Sequence, residues 1–204
     1  MLLYFSTSFI PYHGNEVKYS IRTVKLNDFR VLKLLPYTKI TFIKGDSNFM
    51  EIPVQENSSI PNMYILKGDT LVIMPYQTSL KYEKIKIHGR NVISLLSNKA
   101  SCYLAIKTDS LNLTGENESS FFFDEGSEVQ NLNSKLSGKT KLRAENLLAK
   151  SMILNLSETS NFSAPAKISK ATITMKGSST LRVHRIDSLI LNQEGHNNIY
   201  FEGY

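Results

Sequence analysis

The chain has 204 residues, 41% hydrophobic and 21% charged, which is the balance of an ordinary globular protein long enough to bury a core and excludes a disordered or fibrous chain. Its 24 Lys and Arg against 18 Asp and Glu leave a formal charge of +6, and all of that excess lies in residues 1–100, where 13 basic residues face 7 acidic ones. One cysteine, Cys102, excludes an internal disulfide and a cysteine-based zinc site, and no stretch approaches the roughly 20 apolar residues that a membrane-spanning helix needs.

In chain order, residues 1–20 (MLLYFSTSFIPYHG and on) begin apolar but lack a basic leader, a full-length apolar segment and an Ala-x-Ala cleavage site. They read either as the remnant of an export signal or as a first strand. Residues 21–93 then give short alternating pieces, VKLNDFRVLKLL, TKITFIKGD, FMEIPV, MYILKGD, TLVIMP and KIKIHG, separated by Gly-Asp, Pro-Asn and Gly-Arg turns. Their basic residues stand singly between apolar ones, as on the solvated side of strands, and Lys33, Lys39 and Lys44 mark a candidate basic face for an acidic polymer. The interleaved aromatic and basic pattern of RNA-binding motifs is missing, so no specific nucleic-acid partner is expected.

From residue 94 to 204 the alternation becomes a repeat. Aligned on a turn residue, the stations are Asn98, Gly115, Gly138, Glu158, Gly177 and Gly195, at intervals of 17, 23, 20, 19 and 18 residues. Two residues before each stands Leu96, Leu113, Leu136, Leu156, Met175 or Gln193. Four and six residues after, apolar pairs recur: Cys102 and Leu104, Leu142 and Ala144, Phe162 and Ala164, Leu181 and Val183, Ile199 and Phe201. The second station departs from this, with Ser119 in the fourth place and its apolar run delayed to Phe121, Phe122 and Phe123, which predicts a one-residue bulge. Around residues 141–152 good helix formers occur, but Leu142, Leu147 and Leu148 sustain no helical stripe, and the segment reads as strand, corner, strand.

Residues two apart share a strand face, so each unit offers short strands turning apolar sides inward around a polar corner, and no such unit can bury that side alone. Stacked units of this kind, without helices, predict an all-β, single-stranded parallel β-helix with irregular coils of about 17–23 residues, adding one strand spacing of about 4.8 Å per coil. The competing β-sandwich would favour two-residue hairpins with Asn-Gly or Asp-Gly, and the chain has neither dipeptide. The open edge of the last coil, near Ile199, is a place where a second copy could add, giving a homo-oligomer through β-helix ends.

The order of RVLKLLPYTKITFIKGD, MYILKGDTLVIMP, IKIHGRNVISLLSNKASCYLAI, MKGSSTLRV and a closing GHNNIYFEGY resembles the putative auto-transporter adhesin family with the head GIN domain, from about residue 20 to the end. The resemblance implies a right-handed, single-stranded β-helix over residues 21–204, export to the cell envelope, cell surface or periplasm, and a role in adhesion to a glycan or surface protein. It carries no family catalytic residues. Its small-residue corner is matched by Gly177-Ser178-Ser179 but not by Gly115-Glu116-Asn117 or Glu158-Thr159-Ser160.

The residues themselves contain no GxSxG, GxxxxGK[ST], HExxH or CxxC motif, and no cofactor is expected. The four histidines are far apart. Asp124, Glu125 and Glu128 in FFFDEGSEVQ are the best candidates for a hard cation or an acid and base pair, though a polar corner has the same composition. If corners stack in register, Lys99, Asn117, Lys139, Thr159, Ser178 and His196 form an exposed interaction ridge. Three readings follow: a non-catalytic surface protein, a polysaccharide-active enzyme on the same fold, and a binder of acidic polymer through residues 1–100.

Overall fold

The computed structural model describes residues 19–56, 58–60, 62–76 and 84–201, without the side chains of 164–166. The expectation for residues 1–18 lies outside these. Every regular element among the described residues is a strand. In chain order they are β1 (Tyr19–Lys25), β2 (Val31–Leu34), β3 (Lys39–Lys44), β4 (Phe49–Gln55), β5 (Tyr64–Lys67), β6 (Thr70–Ile73), β7 (Ile85–Gly89), β8 (Ser94–Asn98) and β9 (Ser101–Ala105). There follow β10 (Lys107–Glu116), β11 (Ser120–Phe123), β12 (Glu128–Leu136), β13 (Lys141–Arg143), β14 (Leu148–Leu156), β15 (Asn161–Gly177), β16 (Thr180–Gly195) and β17 (Asn198–Phe201).

Parallel pairing stacks these strands into a β-helix of about five turns. One face runs β6, β2, β8, β10, β12, β14, β15, β16, and a second runs β7, β3, β9, β11, β13, β15, β16, β17. A short third side is made by the first residues of β10, β12 and β14, as in the register Lys107↔Glu128↔Leu148. It bends into the first face where two successive residues, such as Gln130 and Asn131, both point outward. Chain order and spatial order part company at the beginning. The coil of β2 and β3 lies between the coil of β6 and β7 on one side and that of β8 and β9 on the other.

That end of the stack is closed by antiparallel strands: β4 pairs with both β7 and β1, and β5 folds back on β6. The β5–β6 connection is a two-residue hairpin, Lys67↔Thr70, which the missing Asn-Gly and Asp-Gly dipeptides argued against. Gly68 at φ 59° supplies the positive dihedral at the first central position, so the Gly-Asp order suffices. At the other end, β17 pairs only with Thr180–Val183 of β16, and Ile186, Leu189 and Leu191 are half-buried. Phe201, expected inward, is 62% exposed because it sits on the outermost described strand.

The core is a continuous column. Phe29, Phe42, Phe121 and Phe162 are fully buried with the inward Leu and Ile rows, each such side chain stabilising the fold by about 1.5–3 kcal/mol. In the last complete repeat, Met175, Leu181 and Val183 point inward, and Cys102 is buried as its neighbours suggested. Residues 141–156 form strand, corner, strand, with Leu142 and Leu147 inside and Leu148 on the surface.

The corners obey a tighter rule than the sequence spacing. Left-handed backbone recurs at Lys99, Asn117, Gly138, Glu158, Gly177 and Gly195, intervals of 18, 21, 20, 19 and 18. Asn98 and Gly115 are therefore not the turn residues of the first two stations, and no bulge delays the aromatic run. Counted from Asn117, Phe121 and Phe123 take the fourth and sixth places and point inward. Gly115 is instead an inward strand residue, in register with Leu136, where a Cβ would come within 2.6 Å of Thr140 Cγ2 and 2.8 Å of the Phe121 ring. It is small because the Thr140 methyl and the Phe121 ring fill the space beside it.

Two residues beyond four of these corner positions stands a fully buried hydroxyl: Ser119, Thr140, Ser160 or Ser179. Three of them close their own corner by donating to the carbonyl three residues back, Ser119 to Glu116 (2.8 Å), Thr140 to Ser137 (2.7 Å) and Ser179 to Lys176 (2.9 Å). At the last corner Asn197 does the same job, its Nδ2 donating to the Glu194 carbonyl at 3.0 Å. These hydrogen bonds tie each buried hydroxyl or amide to the last residues of the preceding strand and so fix the turn.

Candidate interaction surface

The second face is built from repeated positions, and its outward side chains follow from strand alternation. Between the two inward residues of each short strand stands one outward residue, and the parallel register aligns these along the stack. The row is Lys86, Thr41, Tyr103, Phe122, Arg143, Ser163, Arg182 and Tyr200. Two positions earlier runs a parallel polar row, Lys39, Ser101, Ser120, Lys141, Asn161, Thr180 and Asn198.

Within the first row the groups stack on one another. The Lys84 ammonium lies 3.2 Å from the Tyr103 ring centre, Tyr103 and Phe122 stack at 4.7 Å with 15° between planes, and the Arg143 guanidinium sits 5.6 Å from the Phe122 centre. Further along, Arg182 lies 4.9 Å from the Tyr200 ring. Cations over aromatic faces gain electrostatically from the ring quadrupole, by about 0.5–1 kcal/mol at exposed sites. Six cations therefore line the face: Lys39, Lys84, Lys86, Lys141, Arg143 and Arg182. Lys86 has a carboxylate partner in hand, Glu51 of β4 at 3.3 Å. Lys39, Lys141 and Arg143 have none among the described residues.

Beside Lys86, His88 packs flat on Phe49, ring centres 3.9 Å apart, with its Nε2 3.3 Å from Glu51 Oε1 but without hydrogen-bond geometry. Burial pushes its pKa below the ordinary histidine value, and the Glu51 carboxylate opposes that only partly.

The sequence candidates distribute differently. Lys39 belongs to this face, whereas Lys33 is on β2, the first face, and Lys44 turns to the Arg90 carbonyl, to which its Nζ donates. The three do not form one basic face, because β2 and β3 lie on opposite sides of a corner. The six corner residues fall on two lines: Lys139, Thr159, Ser178 and His196 follow the left-handed residues, and the residue that aligns with them is Glu118, 4.0 Å from Lys139. Lys99 and Asn117 belong to the neighbouring line of left-handed residues. Asn117 there donates from Nδ2 to Asn98 Oδ1 at 2.9 Å.

At the opposite corner, Asp124 and Glu125 precede Gly126 while Glu128 begins β12 and pairs with Lys107 at 2.7 Å. No three His, Cys, Asp or Glu side chains converge on a common point among the described residues.

The putative auto-transporter adhesin, head GIN domain family matches residues 28–203, nearly the whole described chain. The chain belongs to this family. The head GIN domain's fold recurs in solved structures at low identity. One is a putative adhesin from Bacteroides fragilis, 15% identical with a TM-score of 0.61, the match covering 91% of this chain and 97% of the other. Another is a putative adhesin from Parabacteroides merdae, 12% identical with a TM-score of 0.63, covering 93% and 98%. A third, from Parabacteroides distasonis, is 12% identical with a TM-score of 0.56, covering 92% and 96%. No curated protein matches the sequence significantly. These likenesses establish the β-helix of the head GIN domain, and no helix among its described residues is long and apolar enough to cross a membrane.

Reading the sequence for inward positions missed Tyr103, Phe122, Arg143, Arg182 and Tyr200. The signal was present as the middle letter of CYL, FFF, LRA, LRV and IYF, between the apolar pair that was used to align the repeats.

Proposed function

We propose that this head GIN domain is a non-catalytic protein of the cell envelope or surface, exported to where it holds a glycan or another surface protein against the second face of its β-helix. One observation supports this above the others: cations and aromatics occupy matched outward positions on successive strands, and the strands that carry them contribute no carboxylate to that face. A solvated face needs no such bias, since mixed charge keeps a surface soluble equally well. Catalysis finds less support, because Glu128 is committed to Lys107 and no group of three or more His, Cys, Asp or Glu that could hold a metal ion occurs among the described residues.

The test has two parts. Limited proteolysis and antibody labelling of intact source cells should find the domain accessible from outside. Beads coated with the purified domain should bind members of a glycan and surface-protein panel, and lose that binding when Arg143 and Arg182 are replaced by Gln. A domain found only inside cells, or binding that ignores the second face, contradicts the proposal.

A further inference from the structure

We infer that the second face is a linear site for an acidic polysaccharide, one bearing carboxylates or sulfates at regular intervals and lying parallel to the β-helix axis. This rests on the proposed function and names its ligand class. The geometry sets the chemistry in three steps.

First, the strands of this face contribute charge of one sign, spaced in whole strand steps. Lys141 and Arg143 are two residues apart on β13, about 7 Å along the strand, and Arg182 lies two strands beyond Arg143, about 10 Å along the axis. Lys39 stands three strands to the other side of Lys141, about 14 Å away. Cations two and three strand steps apart can be met by an extended polymer that carries an anionic group on each unit, since a sugar unit is about as long as one strand spacing.

Second, the aromatic faces are already taken. Tyr103 is sandwiched between Lys84 and Phe122, and Phe122 between Tyr103 and Arg143. Rings stacked along the axis turn edges, not faces, toward solvent, and aromatic edges carry partial positive charge. The strip therefore attracts anionic groups. It offers no free stacking surface over these four groups for the bases of a single-stranded nucleic acid, which depend on ring faces. Neutral glycans, which also use ring faces, are disfavoured for the same reason.

Third, Lys39, Lys141 and Arg143 lack carboxylate partners among the described residues, while lysines elsewhere have them, Lys107 with Glu128 and Lys176 with Glu194. The polar row of Ser101, Ser120, Asn161 and Asn198 supplies hydroxyl and amide partners between the cations.

The experiment measures binding of heparin and polygalacturonate fragments, with dextran as the neutral comparator and duplex DNA as the nucleic-acid comparator, to three proteins of checked circular dichroism. These are the unmodified chain, the variant Lys141→Gln, Arg143→Gln, Arg182→Gln, and the variant Lys33→Gln, Lys135→Gln, Lys150→Gln, which loses the same charge elsewhere. The expected result is salt-dependent binding of one or both acidic glycans, weakened roughly tenfold or more by the second-face variant and little by the control. The slope of log affinity against log salt should fall by about two to three, as for three lost ionic contacts.

Equal weakening by the two variants, no binding of either acidic glycan at low salt, or tighter binding of duplex DNA overturns the inference. If the coated beads instead capture a neutral glycan or a protein through the second face, the ligand class is wrong and the proposed function stands. If the domain never reaches the surface, the function fails whatever the affinities.

Discussion

Gly138→Ala probes whether the corners stack in register. Gly138 has φ 69°, and an added Cβ would lie 2.6–2.8 Å from the Cα, N and O of Asn117, the corner residue one coil away. Two costs add. An L side chain in left-handed backbone costs about 1–2 kcal/mol, and forcing a methyl against backbone, which has no rotamer to move, costs about 1–3 kcal/mol more. The expected loss is about 2–5 kcal/mol. Gly126 separates the two costs, since its φ is 77° but nothing lies within 4 Å of its would-be Cβ, so Gly126→Ala carries only the first. Urea denaturation followed by circular dichroism measures both, with the midpoint moving and the slope unchanged. Equal destabilisation by Gly126→Ala and Gly138→Ala would refute close stacking of Gly138 on Asn117.

Ser179→Ala should cost about 1 kcal/mol by removing the buried hydroxyl that donates to the Lys176 carbonyl. Ser134→Ala should be neutral or stabilising in the same denaturation assay, because the buried Ser134 Oγ has no hydrogen-bond partner. His88 is held below its ordinary pKa, so as pH falls through about 6.5 the unfolded chain takes up a proton that the folded chain refuses. Stability then declines with acid, and His88→Gln should remove that part of the slope in melting curves between pH 7.5 and 5.5; identical slopes would count against the assignment. Burial pushes the Cys102 thiol well above the usual range, so a thiol reagent at pH 8 should react at the rate of global unfolding, and rapid labelling of folded protein would place Cys102 at the surface.

How far the sequence revealed this fold depends on which forces left a trace in it. The inward apolar pairs were legible because burial demands hydrophobic residues two apart, and that demand repeats with each coil. The true corners at Lys99 and Asn117 were hidden, since glycine drew attention to Gly115, where it makes room for Thr140 and the Phe121 ring rather than forming a turn. The hydroxyl two residues after the corner, at Ser119, Thr140, Ser160 and Ser179, was the better marker. It reports the hydrogen bond that closes the turn and tolerates Asn, Gly or Glu at the left-handed position. The stacking of β2 and β3 between later coils left no mark, because parallel strands of similar apolar pattern can pair in more than one order.

The interaction surface was the least legible part. Its residues satisfy no burial or turn rule, so Tyr103, Phe122 and Arg143 looked like unconstrained letters until the register set them side by side. Lys33, Lys39 and Lys44 were grouped by nearness in sequence, and the corner between β2 and β3 separates them.

Lysine acylation followed by mass spectrometry, with and without a saturating acidic polysaccharide, tests the second face most directly, because one protein contains both the probes and their controls. The account predicts that Lys39 and Lys141 become protected on binding while Lys33 and Lys135, on the first face, react as before. Protection of Lys33 and Lys135, or equal protection of all four, would contradict it.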